Sequence, residues 1–199
     1  MNTLARVVAL CAACSSVSLA AVPGITVKPE ESSSCLPAAK PFFNRAWEAL
    51  SNVHLDEARE LFSQTVAVDP GCTLAWAHLG AVTPGANGRR MVDDAVASAA
   101  ALPEVERLQV LALAAQHRGD HEQALSLMRS ALSHAPRSYE LNFAGAQRAG
   151  VLRLWEAMVA PAQRATELAP ERGPGWNLLG YAHVGLKHHE QEVAAFRRY

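Results

Sequence analysis

Apolar residues recur along this chain at helical spacing, in blocks that close at prolines. Between Glu104 and His117 the positions Leu108, Leu111, Ala112 and Ala115 fall at i, i+3, i+4 and i+7, which places them on one stripe of an α-helix. Arg118-Gly119-Asp120 interrupts the stripe. Glycine closes a helix in a left-handed conformation, and an aspartate caps the start of the next. A second stripe of Ala124, Leu125, Met128, Ala131 and Leu132 runs on to His134, and Pro136 prevents its continuation. Residues 105–136 therefore read as two amphipathic helices joined by a tight turn.

The same block recurs. Val66-Ala67-Val68-Asp69-Pro70, Ala100-Ala101-Leu102-Pro103, Leu132-Ser133-His134-Ala135-Pro136 and Thr166-Glu167-Leu168-Ala169-Pro170 each end on a proline, at steps of 33, 33 and 34 residues. A second marker agrees: Trp76-Ala77-His78-Leu79-Gly80 returns as Trp176-Asn177-Leu178-Leu179-Gly180, 100 residues later. Fixed self-similarity at this period is the mark of a stacked repeat, in which no single helix pair buries its own apolar face. Five units follow, at 39–70, 73–103, 105–136, 139–170 and 173–199, the last incomplete. In the second, Thr83-Pro84-Gly85-Ala86-Asn87-Gly88 reads as a longer, stiffer connection that projects from the array. The fourth lacks the usual turn glycine. The final unit stops before any closing proline, so its last helix is expected to be exposed around Val193 and Phe196. A truncated record, a frame-shifted product or a dimer formed through this end would each account for that.

These residues resemble the tetratricopeptide repeat (TPR) family. Its pattern places Trp, Leu and Gly on a first helix, as at Trp176, Leu179 and Gly180. Ala, Phe and a closing Pro follow on the second, as at Ala58, Phe62 and Pro70. Gly119, Ala124, Ala131 and Pro136 fit in the third unit. The resemblance covers residues 39–199. It implies an all-α, right-handed superhelical solenoid of antiparallel helix pairs. Gly80, Ala112, Ala146 and Gly180 would let the two helices of a unit approach closely, while Trp76, Leu79, Phe62 and Met128 fill the space between units.

Composition narrows the setting. Half the residues are apolar, 19% are charged and the formal net charge is −1. That excludes a disordered chain and offers no basic surplus for nucleic acid. Residues 1–20 have one positive charge, Arg6, ahead of an apolar run, with Ser18 and Ala20 at a −3/−1 cleavage spacing: a signal peptide in form. The run is too short and too rich in serine to span a bilayer. Cys14 does not make a lipoprotein site, because Cys11 stands where a leucine-like residue belongs. Residues 21–38, with prolines and Ser32-Ser33-Ser34, read as an exposed linker. The expected location is outside the cytoplasm, in the periplasm or cell envelope or secreted, and the alanine- and arginine-rich, lysine-poor usage resembles high-GC bacterial proteins. Beyond the signal, Cys35 and Cys72 remain. Either they pair, as exported cysteines do, or they are two separate thiols. The second reading is preferred, since a stacked array needs no staple.

Chemistry-bearing motifs are absent from the sequence. His188-His189 point about 100° apart on a helix, and Gly119 breaks the His117/His121 spacing, so no metal site is expected. There is no phosphate loop, no dinucleotide fingerprint and no nucleophile elbow. No cofactor and no catalysis are expected. The resemblance instead implies binding on the concave side, by first-helix residues: Glu106, Gln109, Leu113 and Gln116 in the third unit, Glu140, Phe143 and Gln147 in the fourth, Asn177 and Tyr181 in the fifth. This mix of amides, acids and aromatics suits an extended protein or peptide backbone. The only lysines are Lys28, Lys40 and Lys187, so the family's lysine-based grip on a C-terminal carboxylate is not expected. The function expected is a non-catalytic binding scaffold. The alternatives are the recruitment or regulatory part of a larger enzyme or secretion assembly, and a self-associating envelope protein.

Overall fold

The computed structural model describes residues 34–199. The expected signal peptide, residues 1–20, and most of the expected linker lie outside the described residues. Ten α-helices follow: α1 (Lys40–Ser51), α2 (Leu55–Val68), α3 (Thr73–Val82), α4 (Gly85–Ser98), α5 (Glu104–His117), α6 (His121–His134), α7 (Tyr139–Val151), α8 (Trp155–Leu168), α9 (Gly173–Leu186) and α10 (His189–Phe196). No strand occurs among the described residues. Consecutive helices pair as antiparallel hairpins, and the pairs stack into an all-α solenoid.

The period seen in the sequence is a physical register. Trp76 and Trp176 each donate their indole N–H to the carbonyl of the proline that closes the unit before, Pro70 at 3.0 Å and Pro170 at 2.9 Å. Asn142 holds the equivalent place in the fourth unit, and its Nδ2 donates to the Pro136 carbonyl at 3.1 Å. Each such bond fixes the angle at which one pair follows the next.

The hairpin turns repeat too. Val53, Gly119, Arg153 and Lys187 all have positive φ, at 64°, 81°, 55° and 60°. In each turn a backbone N–H reaches five residues back, from His54, Asp120, Leu154 and His188 to the carbonyls of Ala49, Ala115, Ala149 and His183. This is the Schellman closure that glycine adopts most easily, yet only one of the four is glycine. Arg153 takes the place of the glycine missing from the fourth unit.

Two details of the array differ from expectation. Thr83–Gly88 does not project: only Thr83 and Pro84 connect the helices, and α4 begins at Gly85. The cause is close packing. A Cβ on Gly88 would sit 1.9 Å from the Thr83 carbonyl oxygen and 2.7 Å from that of Gly80, so these glycines let α3 and α4 touch backbone to backbone. At the far end Val193 is exposed as expected, but Phe196 turns inward. Its ring lies where a Cβ on Gly180 would approach to 2.5 Å, and it meets Tyr181 edge-on at 5.6 Å.

The linker's final residues are pinned rather than loose. Cys35 and Cys72 form a disulfide with Cα atoms 4.7 Å apart, which corrects the preference for separate thiols. Both are buried. The Asp69 carboxylate accepts from the backbone N–H of Leu36 at 2.7 Å and of Gly71 at 3.0 Å. Ser34 donates through its N–H and its hydroxyl to the two carboxylate oxygens of Glu106, both at 2.6 Å. Residues 34–39 thus form a strap from the α2–α3 turn to α5.

Candidate functional site

The first helices of the units, α1, α3, α5, α7 and α9, line the inner wall of the array, and there the sequence placed its candidates. Side chains of α1 reach across this wall to the fourth unit. Trp47 packs edge-on against Phe143 with ring centroids 5.5 Å apart. Arg172, just ahead of α9, pairs with Glu48 of α1 and donates to Glu140 of α7 at 3.1 Å, while its guanidinium lies 3.9 Å over the ring of Tyr139. Burial pushes the Tyr139 hydroxyl up to about 12, with Arg172 opposing. One ion-pair clasp thereby joins residues 124 apart in sequence.

This closure decides where each candidate sits. Glu106 is buried and occupied by Ser34. Gln109, Leu113 and Phe143 are buried as well, which corrects the expectation that they face an open groove: α1 and the strap cover them. Five candidates nonetheless come together. Gln109, Leu113, Glu140, Phe143 and Gln147 border one cavity of about 50 Å³. Gln116 lies half-buried farther along α5. Asn177 and Tyr181 stand apart on α9, half-buried and 54% exposed respectively.

Three residues bordering that cavity went unnoticed in the sequence: Trp47, His78 and Arg148. His78 is stacked on Phe62 at 5.0 Å and lies edge-on to Phe43 at 5.8 Å. Burial, with Arg148 nearby, lowers its pKa to about 3, so the ring is neutral. Arg148 is only 6% exposed, and burial pulls it down to about 10, still charged at neutral pH. Its Nη1 donates to the Gln147 amide oxygen at 2.8 Å. The Nε of Arg148, the Nδ1 of His78 and the Oε1 of Gln109 are buried without a hydrogen-bond partner. Buried polar groups are nearly always satisfied, so a cluster of three is exceptional. The signal was in the repeat. Arg148 takes the register position that the other units fill with Ala49, Val82, Ala115 and Ala182.

The sequence matches no protein-family pattern and no curated protein. Its shape does match solved structures. A structure of MamA superposes with a TM-score of 0.51 at 16% identity, covering 79% of this chain and 94% of that one. A second MamA structure gives 0.51 at 13% identity, over 76% and 90% of the two chains. YrrB, described as a TPR protein with an unusual peptide-binding site, gives 0.49 at 15% identity, over 80% and 84%. The fold is TPR-like. At these identities the likeness extends to the fold alone.

Proposed function

We propose that this chain is a non-catalytic scaffold that binds a protein or peptide partner at the open end of its inner wall. The observation that carries the reading is a change along the register. Phe143 and Gln147 of the fourth unit correspond to Asn177 and Tyr181 of the fifth. Under the cover of α1 the pair is a buried aromatic and a half-buried amide. Beyond that cover it becomes a half-buried amide and a 54% exposed aromatic, with Val184 also exposed one turn on. An exposed tyrosine beside an amide suits a partner that brings both apolar side chains and backbone hydrogen-bonding groups.

The place of action we propose is outside the cytoplasm. The Cys35–Cys72 disulfide supports this, since such bonds persist in oxidising compartments. The leader-like segment at residues 1–20 agrees with it.

Selection of displayed peptides on the immobilised chain tests the binding role. Recovered peptides should bind Tyr181→Ala and Asn177→Ala at least tenfold more weakly, with helix content by circular dichroism unchanged. Failure to enrich any related peptides, or equal binding by both variants, would remove the assignment.

A further inference from the structure

We propose that the cavity between α5 and α7 is a binding site for a small free carboxylate of about the size of acetate, with Arg148 as its counter-charge. The inference stands apart from the partner surface on α9 and uses none of its residues.

Arg148 is the starting point. A buried cation requires a compensating charge, because moving it out of water costs far more than a hydrogen bond returns. Arg148 has no ion pair among the described residues. Its one side-chain bond is to the neutral amide of Gln147. The carboxylates on neighbouring inner-wall positions are already taken, Glu140 by Arg172 and Glu106 by Ser34. Glu140 lines the same cavity, eight residues earlier on α7, with its carboxylate held by Arg172. The charge is therefore left over by the fold, at a place where each of the other four units carries Ala or Val.

The surroundings say what would neutralise it. Arg148, His78 and Gln109 line one cavity, and the Nε, Nδ1 and Oε1 atoms of these residues are buried without a hydrogen-bond partner. A neutral imidazole carries its proton on either nitrogen, and a half-turn of the glutamine amide presents its NH₂, so both can donate to an anion. Water would satisfy the two neutral groups but not the charge. A guanidinium edge matches the two oxygens of a carboxylate.

The walls set the size. At about 50 Å³ the cavity holds roughly three or four water-sized groups, at ~10–15 Å³ for each. That is room for a carboxyl group and one methyl. Trp47, Leu113, Met128 and Phe143 line it, which provides an apolar contact for the methyl.

The test uses the full chain and ¹³C-labelled acetate observed by NMR, with sodium chloride and acetamide as the charged and neutral controls. Saturable broadening or shift of the acetate signal is expected, unaffected by equimolar chloride or acetamide. Arg148→Met, which keeps length and apolar bulk, should fold and lose at least tenfold in acetate affinity. Arg148→Lys, which keeps the charge without the fork, should fall between. No saturable effect with the native chain, or equal binding by Arg148→Met, would overturn the proposal. Displacement of acetate by chloride would overturn the carboxylate class. Two short peptides, one with a free and one with an amidated C-terminus, complete the set. Binding of the free form without binding of acetate would assign the site to a chain end and overturn the small-acid reading.

Discussion

The seam between the first and fourth units and the last helix pair handle burial in opposite ways. At the seam, polar groups lie inside: Glu106, Gln109, His78 and Arg148 are all less than a tenth exposed. At the last pair, apolar groups lie outside, with Tyr181, Val184, Val193 and Tyr199 between 43% and 64% exposed. The seam is closed from both sides, by α1 and by the disulfide-held strap. The last pair has a neighbour on one side only among the described residues. A stacked array stabilises each unit through its neighbours, so the seam can tolerate costly polar groups that the end pair could not.

The largest expected effect tests whether stability is concentrated at the covered end. Phe43 is fully buried and meets Phe62 edge-on at 5.7 Å, so Phe43→Ala should cost about 3–5 kcal/mol. Val193→Ser at the exposed end should stay within about 0.5 kcal/mol. Urea unfolding of both variants gives the contrast, and equal losses would erase it.

Next comes the strap. Cys35 and Cys72 are separated by 37 positions, and closing a loop of that length restricts the unfolded chain by roughly 3–4 kcal/mol. The Cys35→Ala/Cys72→Ala double variant should lose about that much. It should also lose amide-exchange protection around Glu106 before any change on α9. Uniform loss along the chain would mean that the strap is not local to the seam.

The third effect is a pH dependence that belongs to the seam. His78 titrates near 3 in the folded chain against a usual value of 6.5. The unfolded chain therefore binds the proton first, and His78 contributes its full stability above pH 6.5 and loses it as the pH falls toward 3. Between pH 6.5 and 5 the loss should be about 2 kcal/mol, at ~1.4 kcal/mol per pH unit. His78→Phe, a ring of similar shape with no proton to gain, should flatten that slope in chemical denaturation. An unchanged slope would place the titrating group elsewhere.

The smallest effect concerns the turns. Val53 is β-branched, 73% exposed and held at φ 64°, a conformation costing an L-residue about 1–2 kcal/mol. Val53→Gly recovers part of this against the entropy of glycine, for a net gain of about 0.5–1 kcal/mol in thermal or urea unfolding. The reverse change, Gly119→Val, should lose a similar amount. A Val53→Gly variant no more stable than the native chain would show that the turn is unstrained.

Which features were legible follows from the range over which each acts. The helix stripes, the prolines that end them and the Trp76/Trp176 register are local or periodic, and a linear reading finds them because each unit repeats the same problem and the same answer. Glycine at Gly80 and Gly180 was legible for the same reason. What the sequence concealed is non-local. Glu48 meets Arg172 only because the array curls, and nothing near either residue announces the other. Glu106, Gln109, Leu113 and Phe143 sit at positions that face a groove in an open array, and the cover that buries them comes from α1 and the strap. The Cys35–Cys72 bond depended on where the strap crosses the α2–α3 turn. Arg148 broke the small-residue register in plain sight, but that departure acquires meaning only once the residue is known to be buried beside a cavity. Helical periodicity is written residue by residue, so the chain alone determined its five stacked helix pairs. Curvature accumulates small packing angles over many residues, so only the tertiary structure decided which wall closes, which charge it traps and which end stays open.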